Sequence, residues 1–353
     1  YYNPAGVVYA TGKKISASAN AYYTTSKSYK SALGSSNWNR NSSTLLPNFF
    51  GIIQPIGKGV LGLSYAVPDS IIEDQDETFD NITSTISKFT INFNKQDTTY
   101  LFGPSYAQEI KDGLSLGATL YFHYRRKKVI NNQHIVYADS STYLSNVVDE
   151  REELGLRPMI GVMWSPPNLK YSFGMTISRT FVYDETIYIQ TINKAQAAST
   201  AAFTRTTLNI KREYPWNINF GAAYFPSDSL LFSGDVSYYT SVKDDFGERV
   251  SVVNIAVGTE YYPSSTLALK GGFFTNVANT GKISAGDSGK NENIDLYGIS
   301  LSATTFTRST SLTLGTVYGF GSGRAQINNA DPTAIQNVSA TSLLIFIGTS
   351  YAF

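Results

Sequence analysis

Residues 338–353 read VSATSLLIFIGTSYAF. From Thr341 onward the odd positions carry Thr341, Leu343, Ile345, Ile347, Thr349, Tyr351 and Phe353. The even positions carry Ser342, Leu344, Phe346, Gly348, Ser350 and Ala352, smaller on average. A period of two with one greasy side describes a β-strand whose one face meets an apolar medium. Two architectures end in such a strand: a soluble β-sandwich with an edge strand, and a transmembrane barrel with a closing strand. The rest of the chain decides between them.

Composition narrows the choice. The chain has 353 residues, a length that barrels reach as a single domain. Lys+Arg number 28 against 27 Asp+Glu, so no bulk positive field points to nucleic acid. Cysteine is absent, which removes disulfides, thiolate metal sites and thiol nucleophiles together. The two histidines, His123 and His134, lie close in sequence and do not suggest a distributed metal site. Neither metal nor cofactor is expected. Tyr 25 and Phe 20 far outnumber the three Trp, and tyrosine, with an apolar body and a wet tip, suits a membrane–water interface. No window approaches the roughly 18 unbroken apolar residues of a spanning helix. In lipid only helices and closed barrels satisfy every backbone group, which leaves a barrel.

Taken in order, residues 1–12 do not alternate and hold Pro4, Gly6 and Gly12, so they read as non-strand. Residues 13–30 alternate, with Ile15, Ala17, Ala19, Ala21 and Tyr23 on one face. Hairpins follow: 45–56 with 60–67, 98–110 with 114–137, 153–165 with 170–190, 215–225 with 230–242, 250–262 with 266–277, and 293–305 with 310–326. Pro68 ends the third strand in this reading, because it offers no donor to the ladder. With the closing strand the count is about fourteen, and even, as bacterial barrels require. Short turns alternate with long polar segments near 31–44, 69–96, 138–151, 191–213, 243–249, 278–291 and 327–337. A sandwich has no reason to sort its connections in this way. The expected fold is an all-β transmembrane antiparallel barrel over 13–353, preceded by a short hatch segment over 1–12, with both termini at the short-turn, periplasmic end.

Several stretches carry a family resemblance. The opening YYNPAG, residues 46–68 (LPNFFGIIQPIGKGVLGLSYAVP), residues 258–274 (GTEYYPSSTLALKGGFF) and the terminal Phe353 together resemble the FadL/TodX family of outer-membrane transporters of long-chain fatty acids and hydrocarbons. The resemblance covers essentially the whole chain. It implies a monomeric barrel in the outer membrane, in contact with outer-membrane lipid, that passes hydrophobic small molecules. It places Asn3, Pro4, Ala5 and Gly6 at the end of an N-terminal hatch. It also implies a lateral opening near the third strand, here at Gly62, Ser64, Ala66 and Pro68. The family hatch has further residues before the motif, with a Gly/Ala-rich segment; this sequence starts at Tyr1.

If the greasier face points outward, His123, Arg125, Arg157, Asp235, Glu260 and Lys270 point into the lumen. Asp235, Glu260 and Lys270 fall on adjacent strands near the short turns. Such charges serve either as a carboxylate-binding group for a fatty-acid head or as a mutually paired network that fixes the wall. Catalysis finds little support, since barrel hydrolases need Ser/His or carboxylate/His sets at fixed positions. A second functional class stays open: a FadL-like barrel that anchors a protein partner of a surface machine. The outer strand extensions near 181–189 and 203–210 would favour it.

Overall fold

The computed structural model describes residues 2–10, 12–33, 36–167, 170–286, 292–327 and 334–353. A 3-10 helix, Pro4–Tyr9, precedes the strands. These are β1 (Lys14–Leu33), β2 (Ser36–Ile56), β3 (Gly59–Asp80), β4 (Ile86–Lys111), β5 (Leu114–Tyr137) and β6 (Thr142–Trp164). Next come β7 (Tyr171–Ser178), β8 (Phe181–Ala195), β9 (Ala202–Leu208), β10 (Asn217–Ser227) and β11 (Leu230–Tyr239). A small hairpin, β12 (Val242–Asp244) with β13 (Gly247–Arg249), is followed by β14 (Val252–Ser264), β15 (Leu267–Asn276), β16 (Glu292–Phe306), β17 (Thr310–Ala325) and β18 (Gln336–Ala352).

The sheet closes on itself. β18 pairs antiparallel with both β17 and β1, and β6 pairs with both β5 and β7. The result is a closed antiparallel barrel of fourteen strands, in which β7 with β8 forms one wall position and β9 with β10 the next. The closing strand behaves as its period requires: Ile345, Ile347, Tyr351 and Phe353 are exposed on the outer wall. The wall carries apolar side chains throughout this band, among them Leu116, Leu120, Ile255, Leu301 and Leu314. Aromatic side chains rim it at both edges. Tyr65, Tyr100 and Tyr124 line up with ring centroids 6.4 and 6.0 Å apart on one rim, and Tyr171 stacks on Tyr224 at 4.9 Å on the other. A membrane-crossing strand needs about 9–11 residues, so β4, with 26, projects far beyond the band.

That projection corrects the sequence reading. Residues 31–44, 69–96 and 138–151 are mostly strand, not loop: β3 runs on to Asp80 and β4 begins at Ile86. Pro68 does not end β3. The strand absorbs it in a bulge, where pairing with β4 shifts between Ala66 and Asp69. A comparable bulge in β1 between Asn20 and Tyr22 turns Tyr23 away from the face that Ile15 occupies. Parts of the segments at 278–291 and 327–337, and residues 168–169 of the turn at 166–169, lie outside the described residues.

The termini and the short turns share one end, where the Phe353 amide donates to the Lys13 carbonyl at 3.2 Å. We refer to this as the turn end and to the other as the extended end. The barrel's apolar core sits inside the extended end: Tyr29, Trp38, Phe79, Ile91 and Val338 are buried there, with Phe89 and Phe93 packed against them.

Candidate functional site

The 3-10 helix occupies the lumen against β3, β4, β5 and β6. Asn3 caps it, accepting from the Ala5 amide at 2.9 Å, and its side-chain amide donates to the Val162 carbonyl at 3.1 Å. Pro4 at the first helical turn gives up a donor that would be unpaired there. Ser115 Oγ donates to the Ala5 carbonyl at 3.1 Å, and Tyr9 Oη to the Gly113 carbonyl at 3.2 Å. The seat itself is made of glycine. Gly117 of β5 and Gly161 of β6 are direct cross-strand partners under the helix. A Cβ on Gly117 would lie 2.5 Å from the Ala5 nitrogen, and one on Gly161 would collide with Asn3 Oδ1. Gly6, the last residue of the motif, closes the first turn by donating from its amide to the Asn3 carbonyl at 3.2 Å. Replacing Asn3 by alanine removes both the cap and the tie to Val162. We expect a loss of about 1–2 kcal/mol in docking, read as faster proteolysis of the N-terminal segment in the folded barrel.

Among the described residues the ladder is interrupted where 209–216 leave the wall, bridged there only by Phe181↔Glu213, and again between β2 and β3. β2 and β3 pair from Ile56↔Gly59 up to Phe49↔Ala66, and again at Ser42↔Glu73, with no ladder between. Residues 43–48 and 67–72 therefore face each other unpaired, just beyond Tyr65 of the aromatic rim. Pro68 falls inside this interval, and Ala66 forms its lower edge. Gly62 and Ser64 lie below it in continuous ladder, and Ser64 Oγ meets Tyr121 Oη at 2.9 Å in the lumen. Leu45 projects from the opposite lip, 75% exposed. Asn48 braces that lip by accepting from Ser18 Oγ at 2.6 Å and donating to Asn20 Oδ1 at 2.8 Å.

Two charge networks cross the lumen toward the extended end. In the first, Arg125 grips Asp97 with two bonds of 2.8 and 2.9 Å and reaches Glu153 at 2.6 Å. Glu153 is 1% exposed and also takes Tyr214 Oη at 2.6 Å, Arg212 at 3.4 Å and His123 at 3.7 Å. Arg212 and Tyr214 come from residues 209–216, which leave the ladder between β9 and β10 and turn inward. In the second network, Arg40 lies over the rings of Phe93 and Trp38, 4.4 and 5.2 Å from their centroids, and pairs with Glu73. Glu292 joins it with Lys27 at 2.6 Å and the Tyr29 hydroxyl. Burial pushes that hydroxyl far above its ordinary range.

The sequence-selected charges are thus distributed. His123 and Arg125 meet in the first network. Glu260 and Lys270 pair at 3.0 Å, directly across the β14–β15 ladder. Asp235 does not join them: it pairs in register with Gly221 and Ala256, several residues further from the turns. Arg157 reaches Ser178 Oγ at 3.4 Å, away from the other selected charges. Asp97 and Glu153 fall at the very ends of the strands read from the sequence, and Arg212 and Tyr214 in the inward segment, so periodicity gives none of the four a lumen-facing assignment.

A cavity of about 330 Å³ opens into the lumen at the extended end, lined chiefly by Tyr239, Val252, Asn254, Val277, Ile294 and Leu296. Among the described residues no charged side chain lines it. Asn254, Asn276 and Asn279 give it a mixed polar and apolar surface, with Asn254 Oδ1 engaged by the Val277 amide at 2.8 Å.

No family model matches the sequence, and no curated protein matches it. Solved structures do match in fold. A Pseudomonas aeruginosa FadL homologue aligns with 100% of this chain and 93% of its own, at TM-score 0.64 and 13% identity. The Ralstonia pickettii toluene transporter TbuX aligns with 100% and 92%, at TM-score 0.66 and 11% identity. The Pseudomonas putida toluene transporter TodX gives 100% and 92%, at 0.64 and 11%. Identities this low speak for the fold alone.

Proposed function

We propose that this FadL-type barrel carries neutral hydrophobic small molecules across the outer membrane of a bacterium. The extended end faces outside, and the turn end with both termini faces the periplasm. The observation that carries the reading is the unpaired interval between residues 43–48 and 67–72, beside the aromatic rim formed by Tyr65 and Tyr100. The interval begins just beyond the rim tyrosine Tyr65, so it opens at the membrane edge, where an apolar ligand can pass between lumen and lipid. The 3-10 helix acts as a plug that denies the axial path, so a ligand in the lumen leaves through the gap into lipid. The cavity lined by Tyr239, Val252, Ile294 and Leu296 is the first stop, with a neutral hydrocarbon as the proposed ligand. The toluene transporters of the same fold support this choice. A single barrel suffices, with outer-membrane lipid around it.

The absence of cysteine makes the test clean. In a Leu45→Cys variant, a bulky methanethiosulfonate reagent is expected to cut uptake of radiolabelled toluene several-fold. The same label on Leu312→Cys, on the distant wall of β17, is expected to leave uptake unchanged. Equal uptake from both labelled variants overturns the lateral route. A second reading, a surface anchor for a protein partner, is favoured by one feature: β9 pairs only with β8, and its residues are exposed along their length. Undiminished toluene permeation in a deletion strain, with loss of a surface complex, would select it.

A further inference from the structure

The β12–β13 hairpin lies at the extended end beyond the last β11–β14 pair, Tyr239↔Val252, and both of those residues line the uncharged cavity. Its own three pairs, Val242↔Arg249, Lys243↔Glu248 and Asp244↔Gly247, join no other strand. What holds it down is a compact set of polar contacts. Asp244, with a side chain 3% exposed, accepts from the Glu213 amide at 2.9 Å, the Phe246 amide at 3.0 Å and Arg249 at 2.6 Å. Burial opposes its charge, but these donors hold its carboxyl below the usual carboxylate range. Arg249 also donates to the Glu213 carbonyl at 2.6 Å. At the tip, Phe246 lies under two guanidinium groups, Arg151 and Arg212, each 5.2 Å from its ring centroid. The hairpin's second strand touches the opposite rim of the cavity. Arg249 bridges to Thr280, and the Val250 amide donates to the carbonyl of Asn279, which lines the cavity.

We propose that this hairpin is a gate over the outer cavity, closed by the Asp244–Arg249–Glu213 clasp and by Phe246 between Arg151 and Arg212. The gate rests on the reading of the cavity as the ligand's first stop. Its contacts suit a gate better than a fixed wall. The hairpin is tied by a few side-chain bonds and one bridge rather than by a continuous ladder, so it can lift without breaking the barrel. The clasp sits on residues 209–216, whose inward turn is fixed from below by Glu153. Gly247 turns the hairpin at φ 116°, a conformation that side-chain-bearing residues rarely adopt. Each bond lost on opening is replaced by water, because the hairpin stands beyond the membrane band.

The test is an Arg249→Cys/Thr280→Cys variant of the whole barrel, held in amphipol. Bridged residues of antiparallel strands have Cα atoms about 4.5–5.5 Å apart, within disulfide reach. The probe is the neutral fluorophore N-phenyl-1-naphthylamine, followed by stopped flow. Oxidised, the variant is expected to take up the probe at least about tenfold more slowly than the parent, since association now waits on a locked element. Reduced, it is expected to take up the probe faster than the parent, because Arg249 is gone from the clasp. Asp244→Ala is expected to speed uptake as well. Equal rates in the oxidised and reduced forms overturn the gate while leaving the cavity as a binding site. A parent that takes up no probe overturns both. Toluene uptake through the wall gap, measured with the labelled Leu45→Cys variant, reports on the transport reading separately.

Discussion

Replacing Gly117 and Gly161 together by valine is expected to expel the N-terminal helix from the lumen. A Cβ at Gly117 would stand 2.5 Å from the Ala5 nitrogen and 2.8 Å from its Cα, and one at Gly161 would run into the Asn3 side chain. Both obstacles are backbone or tightly bonded atoms, which cannot swing aside as the end of a flexible side chain can. Overpacking of this kind costs about 1–3 kcal/mol at a single site. The two positions share one partner, so their costs do not simply add. Even about 1.4 kcal/mol lowers the seated fraction tenfold relative to the unseated one. Two measurements follow the change: ion conductance in planar bilayers, expected to rise, and proteolytic release of the N-terminal residues, expected to speed up. Gly234→Ala serves as the control, because a Cβ there comes no nearer than 3.8 Å to any atom. A double variant that conducts and digests like the parent would show that the helix does not close the lumen.

Glu153→Leu is expected to lower the unfolding free energy by about 3–5 kcal/mol, as removal of one partner from a buried ionic set does. Glu153 binds Arg125 at 2.6 Å and Tyr214 at 2.6 Å, and pairs with Arg212 at 3.4 Å, so its loss leaves two buried guanidinium groups short of a counter-charge. The effect appears as an earlier urea midpoint for the refolded barrel with an unchanged slope. Glu153→Gln is expected to cost less, since the amide oxygen still accepts from Tyr214. The neighbouring Glu152 gives the scale of an exposed pair. It meets Arg126 at 3.6 Å with both side chains more than half exposed, and Glu152→Gln is expected to change stability by less than about 1 kcal/mol. Removing Asp97, Arg125, Glu153 and Arg212 together by apolar or neutral residues is expected to recover much of the loss. A midpoint unmoved by Glu153→Leu would mean that lumen water, rather than the network, satisfies these charges.

Much of the barrel is legible along the chain. A wall strand in lipid turns its apolar side chains outward, and the period of two in 341–353 or in Leu116, Ala118, Leu120 and Phe122 is a direct consequence. The short turns follow from the same geometry, and so does the strand count of fourteen. The non-strand character of residues 3–6 is legible too, because asparagine, proline, alanine and glycine in that order constrain the backbone locally.

The extended end is another matter. There the apolar side turns inward and the polar side faces water, so the pattern reverses phase at the membrane edge. In β3 the outward Leu61, Leu63 and Tyr65 give way, after the bulge at Pro68, to the outward Asp74, Asp76 and Asp80 and the buried Phe79. Read without the bulge, the run from Asp69 to Gln96 has no single periodic face and passes for a loop. The charges hidden in it are missed with it. Which carboxylate meets which guanidinium depends on the register of strands far apart in sequence, as Asp97, Arg125 and Glu153 show, and on an inward turn at 209–216 that has no periodic mark. The gap between β2 and β3 is of the same kind: proline at position 68 marks the place, but only the register shows that the ladder stops at Phe49↔Ala66 and is met again at the single pair Ser42↔Glu73. Local periodicity decides which face of a strand meets lipid; closure of the sheet decides what the other face encloses.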